Sequence, residues 1–297
     1  MRVFVAVEND AGRRVDSFFA RLMPSAPKSL IYKYIRTGKI KVNKKKPKPE
    51  ARLQAGDEIR YFGDETLLEI KTAAPAAATA ATVLYEDAKI VLLYKPEGVA
   101  TQPDKTHTRD TLVDRFLWHL YKTGSFVPGG ENTFTPALCN RLDYNTRGIV
   151  IGAKTLPALR EMNEKIRLRK VRKLYLCRVE GVPNPKEGRI SAALIKDEAR
   201  NISHIGEGGK AAETAYRTLS TDGKESLVEA ELLSGRSHQI RVHMASIGCP
   251  LVGDPKYGSG GSGQALCAWK IEFAFLPDGG VLDGLAGKTF TLPEKLL

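Results

Sequence analysis

Cysteine is scarce in this sequence and follows no spacing pattern. The four residues are Cys139, Cys177, Cys249 and Cys267, and no two of them are separated by two positions. Such spacing argues against a disulfide framework and against a cysteine-based zinc site. We expect four small buried thiols and predict no metal site.

Long apolar runs and cofactor motifs are also missing. No stretch approaches the roughly 20 apolar residues that span a bilayer, and Glu8 makes the start acidic too early for a signal peptide. We therefore expect a cytoplasmic protein without membrane contact. Residues 258–263 satisfy G-x-G-x-x-G but precede a predicted strand instead of a helix, and no phosphate loop or H-E-x-x-H motif occurs. The sequence predicts no cofactor.

Positive charge is concentrated at the amino-terminal end. Residues 1–62 hold 15 Lys and Arg against 6 Asp and Glu, whereas the other 235 residues hold 31 against 28. A concentrated basic surface attracts polyanions by counterion release, which favours nucleic acid as a partner. The alternative is a charged, solvated face that keeps the protein in solution.

The same amino-terminal segment has the pattern of a small α/β module. Apolar residues recur at helical spacing over residues 13–22 and 29–36, and strand patterns follow at 38–43 and at 53–62, the latter with a turn at 56–57. The next residues, 71–82, are mostly Ala, Thr and Pro and lack the large side chains that a core needs. We predict a module over 1–70 and a linker over 71–82, with an alanine-rich helix as the alternative.

The rest of the chain, residues 83–297, predicts an α+β domain. Strand patterns are interrupted irregularly by helical ones, and most strands follow turns instead of helices. This arrangement favours a mixed, largely antiparallel sheet. The strand patterns lie at 83–85, 90–94, 174–179 and 228–232, and the helical ones at 111–121 and 156–166.

A polar turn in the middle of the chain carries the first candidate site. Residues 140–148 place Arg141 and Asp143 two positions apart, directly before the apolar stretch 149–153. A carboxylate at the mouth of a strand can be an acid, a base or a nucleophile. It can equally be a turn former that bonds nearby backbone N–H groups.

Residues 235–243 carry the second candidate site. This segment leaves a strand and enters a helix, for which Ser237 is the predicted cap. His238 and Arg241 are three positions apart and therefore project from one face of that helix. Such a pair can meet an acid, or it can be ordinary surface charge.

Taken together, these segments resemble the RluA-type pseudouridine synthases. The resemblance rests on "NRLDYNTRGIVIGAK" at 140–154, "RKLYLCRVEG" at 172–181 and "LLSGRSHQIRVHMASIGCPLVGDPKYG" at 232–258, with "LYEDAKIVLLYKPEGVATQP" at 84–103 similar to the opening hairpin of the family. It spans residues 83–275. Residues 12–62 resemble a small RNA-binding module first recognised in a ribosomal small-subunit protein.

The resemblance implies an isomerase that converts uridine to pseudouridine in structured RNA without a cofactor. Ribosomal RNA of the large subunit is the favoured substrate class, and transfer RNA is the alternative. Asp143 would be the catalytic aspartate, and Arg241 would hold it ionised and oriented. Tyr175 would lie against the uracil and take part in proton removal. The remaining implied substrate contacts are Arg141, which would hold the extruded nucleotide, with Arg236, His238 and Gln239.

Three positions depart from the family pattern, which often has His at Asn140, Ser at Arg147 and His at Cys267. They bear on substrate contacts more than on the reaction. Competing interpretations are an RNA-binding or ribosome-assembly factor with a degenerate synthase domain, and a glycoside hydrolase that uses Asp143. Hydrolases of that class usually need two carboxylates, and the motifs supply no second one. We expect a monomer.

Overall fold

The computed structural model describes residues 1–69, 73–104, 106–261 and 263–296. The first two positions of the predicted linker, 71 and 72, lie outside these ranges. In the described part of the chain, no helix combines the length and apolar composition needed to cross a membrane.

The amino-terminal module is a small antiparallel sheet covered by two helices. Its strands run in the order β1, β3, β2, and α1 and α2 pack together over them. Phe18, Phe19 and Leu22 recur on one face of α1 and are buried, because helical spacing brings them to the same side. The elements are β1 (Arg2–Val5), α1 (Val15–Leu22), α2 (Lys28–Arg36), β2 (Ile40–Val42) and β3 (Glu58–Tyr61).

One large sheet organises the remainder of the described chain. Its central path runs β10-β9-β11-β12-β8-β13-β7-β5-β4, with β14 beside β13 and β6 beside β7. The strands are β4 (Thr82–Glu86), β5 (Ile90–Lys95), β6 (Ala137–Leu138), β7 (Arg147–Ala153), β8 (Val171–Glu180), β9 (Glu187–Asp197), β10 (Ile202–Ile205), β11 (Lys210–Thr221), β12 (Glu225–Leu232), β13 (Leu266–Phe273) and β14 (Thr289–Thr291). The helices are α3 (Leu112–Lys122), α4 (Leu156–Arg167) and α5 (Gln239–Ser246).

The predicted fold class, a mixed and largely antiparallel sheet with an α/β module before it, is confirmed. Among the described strand pairs of the large sheet, β7 and β13 are parallel and the others are antiparallel. At the parallel pair, Gly148 has φ +134, and a Cβ there would lie 2.4 Å from the carbonyl oxygen of Ala268. Glycine is therefore required where β7 leaves the turn that carries Asp143.

The module touches the large domain through a buried polar contact. Asp10 accepts hydrogen bonds from Asn132 Nδ2 (2.7 Å) and Thr133 Oγ1 (2.6 Å), and Asn9 Oδ1 accepts one from the backbone N–H of Leu156 (2.7 Å). The start of α4 thus anchors the short 3-10 turn Glu8–Asp10. Farther along, residues 78 and 79 of the predicted linker donate to the side chain of Asp110, and β4 already includes the last linker position.

Candidate active site

Asp143 sits in a tight turn between β6 and β7. Its backbone carbonyl accepts a hydrogen bond from the N–H of Thr146 at 3.0 Å, which closes the turn. The hydroxyl of Thr101 donates to the carbonyl of Leu142 (2.8 Å) and accepts from its N–H (3.1 Å). The Asp143 side chain is 31% exposed. A rigid turn therefore presents a reachable carboxylate.

Lys95, at the end of β5, forms a hydrogen bond to this turn. Its ammonium group is 0% exposed and donates to three backbone carbonyls, those of Pro96 (2.9 Å), Val99 (2.6 Å) and Tyr144 (2.8 Å). Burial lowers the pKa of Lys95 to about 8, against the opposing effect of the Asp143 charge. The lysine thus ties the residue after Asp143 to the β5 hairpin.

Arg241, on α5, lies between two carboxylates. Its Nε and one terminal nitrogen donate to the two oxygens of Asp254, each at 2.7 Å, and Asp254 is 0% exposed. The other terminal nitrogen lies 3.5 Å from Oδ2 of Asp143. Burial alone would raise the pKa of Asp254, but the hydrogen bonds from Arg241 and the backbone outweigh it and lower the pKa. Asp254 therefore fixes the guanidinium that faces Asp143.

His238 approaches the same carboxylate oxygen. Its Nε2 lies 3.9 Å from Oδ2 of Asp143, and its Nδ1 lies 2.7 Å from the hydroxyl of Tyr257. Burial lowers the pKa of His238 to about 4, and the positive charge of Arg241 adds to that effect while Asp143 opposes it. A neutral imidazole and a guanidinium thus converge on Oδ2, and Oδ1 is the oxygen we expect to face a substrate.

The start of α5 corrects the predicted cap. The helix begins after His238, not after Ser237, because His238 has φ 55 and occupies the left-handed region. No side chain caps the first turn; instead Gln239 Oε1 accepts from the backbone N–H of Arg236 at 3.0 Å. A left-handed residue has no signature in helical spacing, so the sequence placed the boundary one residue early.

Tyr175 lies in β8, next to the turn of Asp143 in space. It faces Ala230 across β12 and Ala268 across β13, two small side chains that leave room for its ring. The residue is buried, and both its burial and the Asp143 charge raise the pKa of the phenol. Tyr175 is therefore an un-ionised ring beside the carboxylate.

The other predicted substrate contacts fall into two groups. Arg141 and Arg236 are exposed, although Arg236 Nε also donates to the carbonyl of Ala211 at 3.1 Å. Gln239, in contrast, is 2% exposed, and its amide makes four internal hydrogen bonds. Those bonds use every donor and acceptor site of an amide. We therefore correct its expected role from substrate contact to the attachment of α5 to β11.

The three departures from the family pattern are accommodated inside the sheet. Asn140 Oδ1 accepts from the backbone N–H of Ile151 at 2.8 Å, which supports β7. Arg147 and Cys267 lie opposite each other in the parallel pair. Burial raises the pKa of the Cys267 thiol, and Arg147 partly offsets the rise through its charge and a hydrogen bond.

Sequence reasoning missed three residues of this site: Lys95, Asp254 and Tyr257. Two of them stand in the quoted "GDPKYG" segment, and Lys95 stands in "KPEG" at the end of a predicted strand. The available signal for Lys95 was a charged residue at the end of an apolar strand. Lysine is rarely fully buried unless its ammonium group is paired, so a lysine at such a position is either solvated or bonded to a specific partner.

Comparisons with known proteins identify the relatives of this chain. A family model described as RNA pseudouridylate synthase matches residues 89–246, and the S4 domain model matches residues 13–59. The ribosomal large subunit pseudouridine synthase C of Vibrio cholerae is 31% identical over 283 residues, which cover 92% of this chain and 86% of that protein. The protein of the same name from Escherichia coli K12 is 32% identical over 266 residues, which cover 87% and 80%.

Among solved structures, human RNA pseudouridylate synthase domain containing 1 shares the fold. Its TM-score is 0.57 at 21% identity, and the match covers 75% of this chain and 87% of that chain. Human RNA pseudouridylate synthase domain containing 4 gives a TM-score of 0.52 at 22% identity over 64% and 83%.

Proposed function

This chain belongs to the RNA pseudouridylate synthase family and is thus an enzyme that isomerises uridine to pseudouridine in RNA, and we propose that its substrate is large-subunit ribosomal RNA. One observation supports the chemistry most directly: Arg241 and His238 both approach Oδ2 of Asp143, so within the described ranges two basic side chains converge on one oxygen of a partly exposed carboxylate. The competing interpretation as a binding protein with a degenerate synthase domain is not favoured.

Asp143 is the proposed catalytic residue. The reaction breaks the bond between N1 of uracil and C1′ of ribose and forms a bond between C5 and C1′. C5 loses a proton and N1 gains one, so the change is redox-neutral. Asp143 would attack the sugar or assist departure of the base, and Arg241 would compensate its charge in a partly desolvated site.

Tyr175 is the proposed contact for the uracil face. Since burial and the Asp143 charge both raise its pKa, the resting enzyme offers an un-ionised ring and not a phenolate. The ring would hold the base while it turns, and its hydroxyl would take part in proton removal only after C5 is attached to the ribose.

Arg141 and Arg236 are the proposed contacts to the surrounding RNA. An enzyme reaches a glycosidic bond inside folded RNA only after the nucleotide is extruded from its stack. Both residues are exposed. Arg141, two positions from Asp143, would occupy the space left by the nucleotide, and Arg236 would pair with a phosphate.

The basic module is the proposed anchor for the substrate. Tyr32, Lys33, Arg36, Lys46 and Lys48 line one groove of this module. Cations with an exposed aromatic ring suit an RNA backbone and an unstacked base. Deleting residues 1–70 should weaken RNA binding and flatten its salt dependence, whereas an unchanged salt slope would contradict an anchoring role.

The substrate class is tested with purified enzyme. Equal amounts of large-subunit ribosomal RNA, small-subunit ribosomal RNA and bulk transfer RNA are incubated with the enzyme, and pseudouridine is mapped chemically. We expect new pseudouridine in the large-subunit RNA. A signal confined to transfer RNA would replace the proposed substrate. We further propose that the protein acts as a monomer in the cytoplasm.

A further inference from the structure

Tyr257 links the candidate site to the neighbouring β9–β10 hairpin. Its hydroxyl accepts a hydrogen bond from the backbone N–H of Ser203, in β10, at 2.7 Å. The same hydroxyl lies 2.7 Å from Nδ1 of His238, and the Tyr257 ring lies over the guanidinium of Arg241, 4.9 Å from its carbon. One tyrosine therefore contacts both groups that approach Asp143.

These contacts determine which imidazole nitrogen carries the proton. A phenol has one proton to donate, and the N–H of Ser203 already occupies one acceptor position of its oxygen. The proton of Tyr257 is thus free to point at Nδ1 of His238, which then accepts. A neutral imidazole that accepts at Nδ1 carries its proton on Nε2. That nitrogen faces Oδ2 of Asp143.

The opposite tautomer, with the proton on Nδ1, fits neither the contact with Tyr257 nor the contact with Asp143. With the proton on Nδ1, the Tyr257 hydroxyl would lose its acceptor, and the lone pair of Nε2 would face a carboxylate oxygen. A doubly protonated His238 would place a second cation beside Arg241 and Lys256, balanced by Asp143 and Asp254. Burial of the ring opposes that charge.

We propose that Tyr257 is a positioning residue that fixes His238 in the Nε2–H tautomer, so that His238 acts as a neutral hydrogen-bond donor to Oδ2 of Asp143. The separation of 3.9 Å closes to a hydrogen bond when the carboxylate shifts by about 1 Å, as apo contacts often do on substrate binding. Arg241 compensates the negative charge on Oδ2, and the hydrogen bond from His238 orients the carboxylate. The catalytic part of this inference rests on the proposed function.

The tautomer is measured without substrate. Long-range proton–nitrogen NMR spectra distinguish the two neutral forms of histidine, and the chain has five histidines, so His238→Gln identifies the signal of interest. We expect His238 to be neutral at pH 7 with its proton on Nε2, and Tyr257→Phe to produce a mixture of tautomers. A proton on Nδ1, or a charged ring at pH 7, would overturn the proposal.

Kinetics test the consequence. Tyr257→Phe keeps the ring over Arg241 and removes only the hydroxyl, so we expect kcat to fall about 10- to 100-fold with KM unchanged. Tyr216→Phe is the matched control, because its hydroxyl donates to the carbonyl of Pro185, away from Asp143. His238→Gln retains a donor near the Nε2 position and should keep more activity than His238→Ala.

The two kinds of failure are distinguishable. Equal kcat values for the two tyrosine variants would contradict the positioning role. If the wild-type enzyme forms no pseudouridine in any RNA, the proposed function fails, while the NMR measurement still decides the tautomer of His238.

Discussion

Arg241 and Asp254 form a buried two-point ion pair in which both carboxylate oxygens and two of the three guanidinium nitrogens are engaged at 2.7 Å. The third guanidinium nitrogen of Arg241 takes no part in this pairing, and it faces Asp143. Asp254 therefore sets the direction in which Arg241 faces Asp143.

Asp254→Asn should impair both stability and turnover. The change removes the nearer and fully buried of the two carboxylate charges that face the guanidinium, so we expect a loss of about 3 to 5 kcal/mol in the free energy of unfolding. We also expect kcat to fall, since Arg241 is then free to turn away from Asp143. Denaturant unfolding and single-turnover assays at pH 7 measure the two effects.

Asp222→Asn is the control for that experiment. Asp222 also accepts backbone N–H bonds in a turn, from Lys224 and Glu225, but it is exposed. Similar losses for both variants would show that Asp254 acts through its turn and not through Arg241.

Lys95→Met should reduce kcat about 100-fold, because three carbonyls lose their donor and the turn of Asp143 is no longer held. The unpaired carbonyls should also lower the free energy of unfolding by about 1 to 3 kcal/mol. The exposed Lys224→Met is the control. Full activity of the Lys95 variant would mean that the turn holds its shape without the lysine.

Gly148→Ala should destabilise the domain by about 3 kcal/mol or more, because the new Cβ would meet the backbone of Ala268 at 2.4 Å. Gly223→Ala separates this clash from backbone strain: Gly223 also has a positive φ, but nothing lies within 4 Å of its Cβ position. We expect about 1 kcal/mol for the control, from strain alone. Thermal and urea unfolding compare the two, and equal losses would contradict the close approach.

His238 should make the domain less stable in mild acid. Its folded pKa is lowered to about 4, below the ordinary value of about 6.5, so between these pH values the unfolded chain holds a proton that the folded one lacks. Stability therefore falls as the pH drops through this window. Between pH 7 and pH 5 the wild type should lose about 2 kcal/mol more than His238→Gln in urea unfolding. Equal losses would show that His238 is not buried as a neutral ring.

The sequence was sufficient to locate the candidate site residues whose grouping follows from local spacing. Asp143 stands on a polar turn before an apolar strand, and His238 and Arg241 are three positions apart at the start of a predicted helix, so each motif could be located by itself. The mixed, largely antiparallel sheet was also predicted, since most strand patterns follow turns instead of helices.

The sequence was insufficient where a side chain acts through distant backbone. The three carbonyl partners of Lys95 include that of Tyr144, 49 positions away, and no periodicity predicts such a contact. Gln239 stands in the second candidate site, but its amide group makes internal hydrogen bonds. Only the packing of α5 against β11 reveals these bonds. The left-handed conformation of His238 at the start of α5 could not be predicted either, because a single unusual φ leaves no pattern in the sequence.

The most direct test of the account is chemical mapping of pseudouridine in large-subunit ribosomal RNA from cells that lack this gene. The cells are complemented with the wild type, with Asp143→Asn or with the exposed Asp222→Asn. We expect a pseudouridine signal that disappears with the gene, returns with the wild type and the Asp222 variant, and does not return with Asp143→Asn, although that protein still binds the RNA. Restoration of the signal by Asp143→Asn would contradict the central role of this carboxylate.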